Sequence, residues 1–248
     1  MAKVKVDKNI YIPNGYRALY LKDTKTVVIS DLQLGYELYL AKSGIFVPQT
    51  QLQEMIEDIK KIHEITKAKT LVINGDLKHE FGEASKQEWR EVKEFIGVSA
   101  ELFKEIILVR GNHDNYLLNI ISKLGIELHD PYYIEKRYLF THGHKLVDIP
   151  AETEVIIIGH EEPAIVTREG FDMLKIPCLL KGSFNDKTLV VLPAFSKLSS
   201  GSEINVMDKK DFLSPYLKNA NIEEFEVFGI DSGITVYLGK IKNLRRVL

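Results

Sequence analysis

The stretch Val109-Arg110-Gly111-Asn112-His113-Asp114-Asn115 decides the fold and the chemistry expected of this chain. It continues an apolar, β-prone run of the kind that forms a buried strand. The run stops at Gly111, which frees the backbone to turn. Asn112 then offers a neutral oxygen ligand, and His113 can donate or accept a proton near neutral pH. By itself the run Asn112-His113-Asp114-Asn115 would also suit a helix N-cap. Whether it is an N-cap or part of a metal or catalytic site depends on the motifs elsewhere in the chain.

The composition is that of an ordinary globular protein. The 248 residues are 45% hydrophobic and 27% charged, which is enough to bury a core, and we expect a single domain over residues 1–248. The net charge of −2 provides no overall positive field that would indicate a nucleic-acid partner. The single Cys178 excludes an internal disulfide framework. With no leader-like or long apolar segment, these features predict a cytoplasmic protein without a membrane partner.

Apolar runs and helical spacings alternate through the first half of the chain. Such alternation favours βαβ units and a largely parallel sheet. The predicted strands are Ala18–Leu21, Thr26–Ser30, Thr70–Ile73 and Ile106–Val109. The predicted helices are Thr50–Ile65, Ser85–Phe95 with a broken continuation to Phe103, and Tyr116–Leu124.

The second half consists mainly of short β-prone runs. A hairpin signal, Asp231-Ser232-Gly233, separates the last two, and Asp211–Leu217 is a weak helix. The predicted strands are Tyr132–Ile134, Tyr138–Thr141, Val155–Ile158, Pro163–Arg168, Cys178–Lys181, Thr188–Leu192, Phe225–Ile230 and Ile234–Leu238. Together the two halves predict an α/β fold with two sheets and helices outside them.

Five predicted strands end on residues that can bind metal. In an open α/β sheet, ligand sites collect beyond the carboxyl ends of the strands, so these five ends can converge on one place. Each segment alone is a common turn or cap, but five of them, each after an apolar run, make a strong signal. The five are Asp31-Leu32-Gln33, Gly75-Asp76, Gly111-Asn112-His113-Asp114, His142-Gly143-His144 and Gly159-His160-Glu161-Glu162.

In this order the five segments resemble the calcineurin-like metallophosphoesterases. The pattern of that family is Asp-x-His, Gly-Asp, Gly-Asn-His-Asp/Glu, His and Gly-His-x-His, and the match extends from Val27 to Glu162. The segments 74–82, 159–165 and 192–195 are similar to one branch, the archaeal phosphoesterases related to the SbcD nuclease (ICC-like). The resemblance implies a sandwich of two mixed β-sheets flanked by helices.

The resemblance also implies two divalent ions and a role for each motif residue. Two such ions about 3.5–4 Å apart can clamp the attacking and leaving oxygens of a phosphoryl transfer. Mn²⁺ is the ion expected, with Mg²⁺, Ni²⁺, Fe or Zn²⁺ as alternatives. Asp76 is implied as the bridging ligand, His113 as the acid that protonates the leaving group, and Asp114 as the group that holds its ring. One complete metal pocket is implied at Asp76, Asn112, His142 and His160.

The other metal pocket departs from the family pattern. Both of its expected histidines are replaced, by Gln33 and Glu162, so Asp31, Gln33, Asp76 and Glu162 remain. In one interpretation the pocket still binds a cation through oxygen ligands, which suit Mg²⁺, Mn²⁺ or Ca²⁺ better than Zn²⁺. In the other, the pocket is weak or vacant and the protein is a degenerate relative. We favour retained binding, because Glu162 supplies a carboxylate where a cation can still use one.

Further residues near the motifs are weaker candidates. His79, Arg110 and His144 are candidate substrate-binding residues, His144 also as a neighbour of the metal pocket. The aromatic residues Tyr36, Phe81 and Tyr116 could stack on bases as in single-strand binders, although apolar packing is the more common role.

The resulting expectation is a metal-dependent phosphoric ester hydrolase that acts on phosphodiesters, with a nuclease or repair-linked role implied by the branch. A non-catalytic metal-binding scaffold is one alternative, and a small-molecule phosphatase or cyclic-nucleotide phosphodiesterase is another. The expected partners are a phosphoester substrate, nucleic acid included, and a second copy of the chain or a repair protein.

Overall fold

Two β-sheets packed face to face form the centre of the structure. It is a computed structural model and describes residues 2–80, 82, 85–117, 121–169, 172–231 and 233–245. Within these residues helices lie on the outer side of the sheets. The expected α/β sandwich of two mixed sheets flanked by helices is confirmed.

The first sheet changes from antiparallel to parallel along its strand order, β1-β2-β3-β4-β5-β6-β7. Strands β1 to β4 pair antiparallel, and β4 to β7 pair parallel. The parallel half is the βαβ portion predicted from the sequence. The strands are β1 (Lys3–Asp7), β2 (Ile10–Pro13), β3 (Leu19–Leu21), β4 (Thr26–Ile29), β5 (Thr70–Asn74), β6 (Glu105–Val109) and β7 (Leu128–His129).

The second sheet has the order β14-β11-β12-β13-β10-β9-β8, and β15 pairs with both β12 and β16. Strands β9, β10 and β13 are parallel neighbours, so β9 and β10 end at the same edge. The strands are β8 (Tyr133–Glu135), β9 (Tyr138–Phe140), β10 (Val155–Ile158), β11 (Pro163–Glu169), β12 (Asp172–Phe184), β13 (Lys187–Val191), β14 (Ser202–Glu203), β15 (Glu226–Asp231) and β16 (Ile234–Lys240).

The helices are α1 (Tyr36–Lys42), α2 (Gln51–Thr66), α3 (Lys86–Leu102), α4 (Pro215–Asn219) and α5 (Ile241–Leu244). A capping box starts α3: the Ser85 hydroxyl accepts a hydrogen bond from the N–H of Glu88, whose carboxylate accepts one from the N–H of Ser85. Short 3₁₀ turns cover Ser122–Leu124, Lys209–Asp211 and Ile222–Glu224.

The core has three layers, one between the two sheets and one on the outer face of each sheet. Every residue of β4, β5 and β10 is buried, as expected for strands covered on both faces. Val28, Val72 and Ile157 belong to the cluster between the sheets. The helices α2 and α3 cover the other face of the first sheet, and α4 and α5 contribute to the layer outside the second sheet. Each fully buried aliphatic side chain contributes about 1.5–3 kcal/mol to stability.

Several element predictions need correction. Helix α3 runs unbroken over Lys86–Leu102, whereas a break after Phe95 was expected. Pro215 begins α4, because proline suits the first helical turn, so the weak helix expected at Asp211–Leu217 lies further along. Strands β1 and β2 and helix α1 were not predicted. Of the helix expected at Tyr116–Leu124, residues 118–120 lie outside the described part, and a 3₁₀ turn follows them.

Candidate metal centre and active site

The carboxyl ends of β4, β5, β6, β9 and β10 meet at one edge of the sandwich. Oδ2 of Asp76 lies 3.2 Å from Nε2 of His142, so a residue from each sheet contributes to one cluster. The ligand atoms of Asp76, His142 and His160 all lie within 4.8 Å of one another. Oδ1 of Asn112 lies 3.1 Å from the same His142 nitrogen. The structure therefore brings together the four residues of the complete pocket implied by the sequence.

Asn74 joins the two sheets directly beneath this cluster. Its side-chain amide donates hydrogen bonds to the carbonyl oxygens of Thr141 (3.0 Å) and Ile157 (3.1 Å), which belong to the second sheet. Its own carbonyl oxygen lies 3.1 Å from Nδ1 of His142. An Nδ1–H donated to that carbonyl leaves Nε2 of His142 facing the cluster, the tautomer that a metal requires.

The backbone of the site loops is strained. Asp31, Gln33, Asp76, His160 and Glu162 all have positive φ values, between 50° and 64°. Such left-handed conformations cost of order 1 kcal/mol or more each and persist only where surrounding contacts enforce them. Here the N–H of Asp31 donates to the carbonyl of residue 75, and the N–H of Gln33 donates to the carbonyl of Asp76, each at 3.0 Å. The loops that follow β4 and β5 thus hold each other in the conformation that places the side chains of Asp31, Gln33 and Asp76 at the site.

Two glycines are required by close approach. A Cβ at Gly111 would lie 2.0 Å from Oδ1 of Asp76, and a Cβ at Gly159 would lie 1.8 Å from Oγ of Ser30. Both distances are far below van der Waals contact, so any larger residue would push a ligand-bearing loop away. The two glycines allow the strand ends to approach closely enough to share one site.

The charges of the complete pocket act differently on its two histidines. Burial disfavours the charged form of His142, yet the carboxylates of Asp76 and Asp31 raise the pKa of its ring to about 10. Burial by itself would raise the pKa of Asp76, but His142 and His113 lower it to about 2. Burial and the nearby His142 lower the pKa of His160 to about 3, which keeps that imidazole neutral and able to donate a lone pair. A divalent cation fits this donor set of one carboxylate, one amide oxygen and two imidazoles.

In the altered pocket, Asp31 has an oxygen that suits a cation. The carboxyl group is 1% exposed, and its Oδ2 accepts hydrogen bonds from the Ser30 hydroxyl (2.6 Å) and the N–H of His160 (3.1 Å). Among the described residues its Oδ1 accepts no hydrogen bond, and it lies 3.9 Å from Nε2 of His142. Buried oxygens without partners are rare in proteins, and a metal ion would supply the missing contact.

The two replaced residues of that pocket contact each other. The side-chain amide of Gln33 donates a hydrogen bond to Oε1 of Glu162, and the hydroxyl of Ser199 donates one to Oε2. Burial raises the pKa of Glu162 to about 7. Both carboxylate oxygens therefore already accept one hydrogen bond each, and a cation that used Glu162 would compete with these donors for the carboxylate.

His113 lies beside the complete pocket, with its side chain 18% exposed. Nε2 of the His113 ring is 3.9 Å from Oδ2 of Asp76. The backbone N–H of His113 donates a hydrogen bond to Oδ1 of Asp76 at 2.9 Å. The ring nitrogen Nδ1 forms a hydrogen bond with the carbonyl oxygen of His79. The backbone of the β5 loop, rather than the carboxylate of Asp114, thus fixes the His113 ring at Nδ1.

Asp114 has a different position from the one the sequence implied. Its buried carboxylate accepts hydrogen bonds from the backbone N–H groups of Asp76 (2.9 Å), Leu77 (3.0 Å) and Gly111 (2.8 Å), with Lys78 at 3.5 Å. Burial and the nearby Asp76 raise its pKa to about 6. Asp114 therefore ties the β5 loop to the β6 loop, which corrects its expected contact with the ring.

Of the three candidate substrate-binding residues, His79 and His144 lie beside the histidines of the site, and the Arg110 side chain bonds to residues outside it. The His79 ring stacks beside His113, with 5.6 Å between ring centroids. The His144 ring lies 5.5 Å from that of His142, and burial lowers the pKa of His144 to about 4. The guanidinium of Arg110 instead bonds to Asp130 (3.0 Å) and Asn115 (2.9 Å), so its expected phosphate contact stays a prediction.

Sequence reasoning missed several residues of the site. Asn74 and Ser30 directly precede motif residues, and their position at buried strand ends could have suggested them. Ser199 lies far along the chain, and only the small-residue run 199–201 pointed to it. Lys78, another residue beside a motif, is fully buried and donates to the carbonyls of Glu80 and Gly82, so it holds a loop.

Comparison with known proteins agrees with this geometry. The family model described as calcineurin-like phosphoesterase matches residues 24–223, which is most of the chain. The chain belongs to the calcineurin-like phosphoesterase family. The family is one of metal-dependent phosphoesterases, which fits the cluster of Asp76, His142 and His160. No curated protein is significantly similar to the chain in sequence.

One solved structure shows the same fold. The nuclease MPE of Pseudomonas putida superposes with a TM-score of 0.67 at 16% identity, covering 94% of this chain and 98% of that one. YfcE, a phosphoesterase from E. coli, gives a TM-score of 0.41 at 17% identity, covering 90% and 94%. At these identities the first likeness shows the fold only. Within the described residues, no helix is long and apolar enough to cross a bilayer.

Proposed function

We propose that this protein is a Mn²⁺-dependent phosphodiesterase that acts on nucleic acid. The observation that carries the proposal is the cluster of Asp76, Asn112, His142 and His160 at the strand ends, with His113 beside it. A purely structural metal site would have no need of a proton donor at its rim.

Asp76, Asn112, His142 and His160 would hold the tighter cation, because two imidazoles and a carboxylate approach one point. A second cation would contact Oδ1 of Asp31 and the carboxylate of Asp76 through oxygen ligands. When bound, such ions polarise phosphoryl oxygens and lower the pKa of water. We expect the second cation to bind more weakly, since Glu162 already has two hydrogen-bond partners.

His113 would supply the proton for the leaving oxygen. Its Nδ1–H donates to the carbonyl of His79, so the second proton of the imidazolium sits on Nε2. Transfer of that proton to the departing alkoxide leaves a neutral ring still anchored through Nδ1. The anchored ring would keep Nε2 in position through the cycle, and general acids of this kind contribute about 10²–10⁴-fold to rate.

The residues of the site support phosphodiester hydrolysis, whereas the support for nucleic acid as the substrate is similarity to other proteins. The archaeal SbcD-related branch suggested by residues 74–82 and 159–165 supports it, as does the likeness in fold to a protein described as a nuclease. A cytoplasmic, repair-linked role and a repair-protein or second-copy partner belong to the same proposal. The net charge of −2 gives it no general support, so binding should depend on local basic groups and on salt.

One observation favours a second candidate function, a non-catalytic metal-binding protein. The hydrogen bonds among Gln33, Glu162 and Ser199 satisfy the two replaced residues without a cation, and of the altered pocket only Oδ1 of Asp31 then lacks a partner among the described residues. If only one metal binds under all conditions and no phosphoester is cleaved, this alternative replaces the first.

Hydrolysis of bis(p-nitrophenyl) phosphate in Mn²⁺ tests the proposal. We expect turnover of the diester and slower turnover of the monoester. Because nitrophenolate departs without a proton, His113→Ala should lose less activity on this substrate than on a diester with an alkyl leaving group. A preference for the monoester would indicate a phosphatase. Silence of the native chain with Mn²⁺, Mg²⁺, Ni²⁺ and Co²⁺, on these substrates and on single-stranded DNA, would overturn the proposal.

A further inference from the structure

A ladder of aromatic rings leads from the surface to His113. It consists of Tyr39, Tyr36, His79 and His113, contributed by α1, the β5 loop and the β6 loop. The ring centroids of Tyr36 and His79 are 4.2 Å apart and those of His79 and His113 are 5.6 Å apart, with interplanar angles of 31° and 29°. The first pair is tilted and the second is stacked, and both centroid distances lie within or close to the range of favourable aromatic pairs.

The outer end of the ladder is open to solvent. Tyr39 is 43% exposed, and its ring centroid lies 4.8 Å from that of His79 and 6.1 Å from that of Tyr36. The residues that follow α1, Ile45 and Phe46, are also exposed. Packing within the core would bury such rings, so the burial that normally accounts for an aromatic cluster is missing at Tyr39.

We propose that the ladder of Tyr39, Tyr36 and His79 is a stacking platform for a nucleobase of an unpaired nucleic-acid strand whose phosphate lies at His113. This inference rests on the proposed phosphodiesterase function and extends it to a substrate class. Base–aromatic stacking is tolerant of sequence, because every base has a π-face. A base in a duplex is already stacked on its neighbours, so the platform selects strands that are single-stranded near the scissile bond.

The ladder is continuous with the catalytic centre, and this decides its occupant. His79 belongs to the ladder through its ring, and its carbonyl oxygen holds Nδ1 of His113. A base on the outer rings would therefore place the adjoining sugar–phosphate near the proton donor. Lys42, one turn after Tyr39, forms an exposed ion pair with Glu80 at 3.6 Å, and a substrate phosphate can replace that weak partner.

The test compares two oligomers of equal charge, a fluorescent oligothymidylate and its abasic counterpart, which has the same backbone without bases. Binding to the Mn²⁺-loaded full chain is followed by fluorescence anisotropy at 4 °C, over times in which a denaturing gel shows both oligomers intact. We expect tighter binding of oligothymidylate, and Tyr39→Leu should reduce that preference about 5- to 100-fold without changing the affinity for the abasic strand. Tyr39→Phe keeps the ring and should keep the preference.

A matched control is Tyr237→Leu, because Tyr237 is 52% exposed on β16 and packs on Phe228 outside the ladder. The preference of Tyr237→Leu for oligothymidylate over the abasic strand should equal that of the native chain. An unchanged preference in Tyr39→Leu, or an equal loss for both oligomers, would overturn the platform. If the native chain cleaves bis(p-nitrophenyl) phosphate but shows no preference for bases, the platform fails and the proposed function stands. If the native chain cleaves nothing but prefers oligothymidylate, and Tyr39→Leu loses that preference, the proposed function fails and the platform stands.

Discussion

The side-chain amide of Gln33 donates a hydrogen bond to the carboxylate of Glu162, so the two residues that depart from the family pattern contact each other across the altered pocket. Each replaces an expected histidine, and they lie far apart in the chain. The contact gives the Gln33 amide an acceptor and gives the Glu162 carboxylate a second donor beside the Ser199 hydroxyl, so neither group is left without a partner. The pair therefore stabilises the pocket without a metal and competes with any cation that enters it.

This competition predicts two unequal metal affinities. We expect the native chain to bind one Mn²⁺ tightly and a second more weakly, and Gln33→His with Glu162→His to bind both tightly. Equilibrium dialysis with metal analysis measures the stoichiometry. Glu203→Gln, which removes a partly exposed carboxylate outside the site, is the control. Saturation of the native chain at one ion under active conditions would contradict weak second binding.

Replacing His113 should affect chemistry rather than metal binding, because the ring contacts Asp76 only at 3.9 Å. We expect His113→Ala to lower kcat by about 10²–10⁴-fold while Mn²⁺ affinity stays the same. The loss should be smaller for a nitrophenyl leaving group, which departs without a proton, than for an alkyl one. An equal loss for both leaving groups would argue against proton donation by this residue.

Asp114→Asn should destabilise the fold. The carboxylate accepts three backbone hydrogen bonds of 2.8–3.0 Å from Gly111, Asp76 and Leu77, and an amide would present N–H groups to some of these donors. Losing hydrogen bonds to a charged group costs about 1.5–3 kcal/mol in the free energy of unfolding. Urea denaturation monitored by circular dichroism measures this. An unchanged midpoint with a reduced kcat would show that Asp114 acts on the His113 ring after all.

Gly111→Ala should weaken both the fold and the metal site, because the new Cβ would lie 2.0 Å from Oδ1 of Asp76. We expect destabilisation of more than about 1 kcal/mol, as in other overpacked interiors, and lower Mn²⁺ affinity. Gly97→Ala is the matched control. Gly97 lies within α3 with no atom near its Cβ position, so alanine should stabilise the helix by up to about 1 kcal/mol. Equal effects of the two substitutions would contradict the close approach at Gly111.

The thiol of Cys178 should be unreactive in the folded protein. The residue is fully buried in the core outside the second sheet, and burial raises the pKa of its thiol well above the usual range. Since the thiolate is the reactive form, raising the pH from 7 to 9 should not accelerate labelling by a disulfide reagent. Labelling should follow unfolding in urea. Rapid labelling of the native chain would show that this part of the core opens.

The sequence determined the fold class and the order of the ligand-bearing strand ends. Short apolar runs that stop at Asp31, Asp76, Asn112, His142 and His160 are local signals, because a buried strand and the turn after it depend mainly on residues close in the chain. Strands β1 and β2 were missed although Lys3–Asp7 alternates polar and apolar residues, a pattern that also predicts a strand. Helix α1 was also missed, as short helices depend more on packing than on propensity.

Only the tertiary structure decided how the ligand residues share their contacts. The pairing of Gln33 with Glu162, the backbone contacts of Asp114 and the stacking of Tyr36 on His79 all join residues from different loops. Hydrogen bonds and ring contacts require positions within a few ångströms, and a one-dimensional pattern fixes which residues end a strand but not the distances between side chains of separate loops. The sequence thus determined which residues reach the site, and the packing of the two sheets decided what each one contacts there.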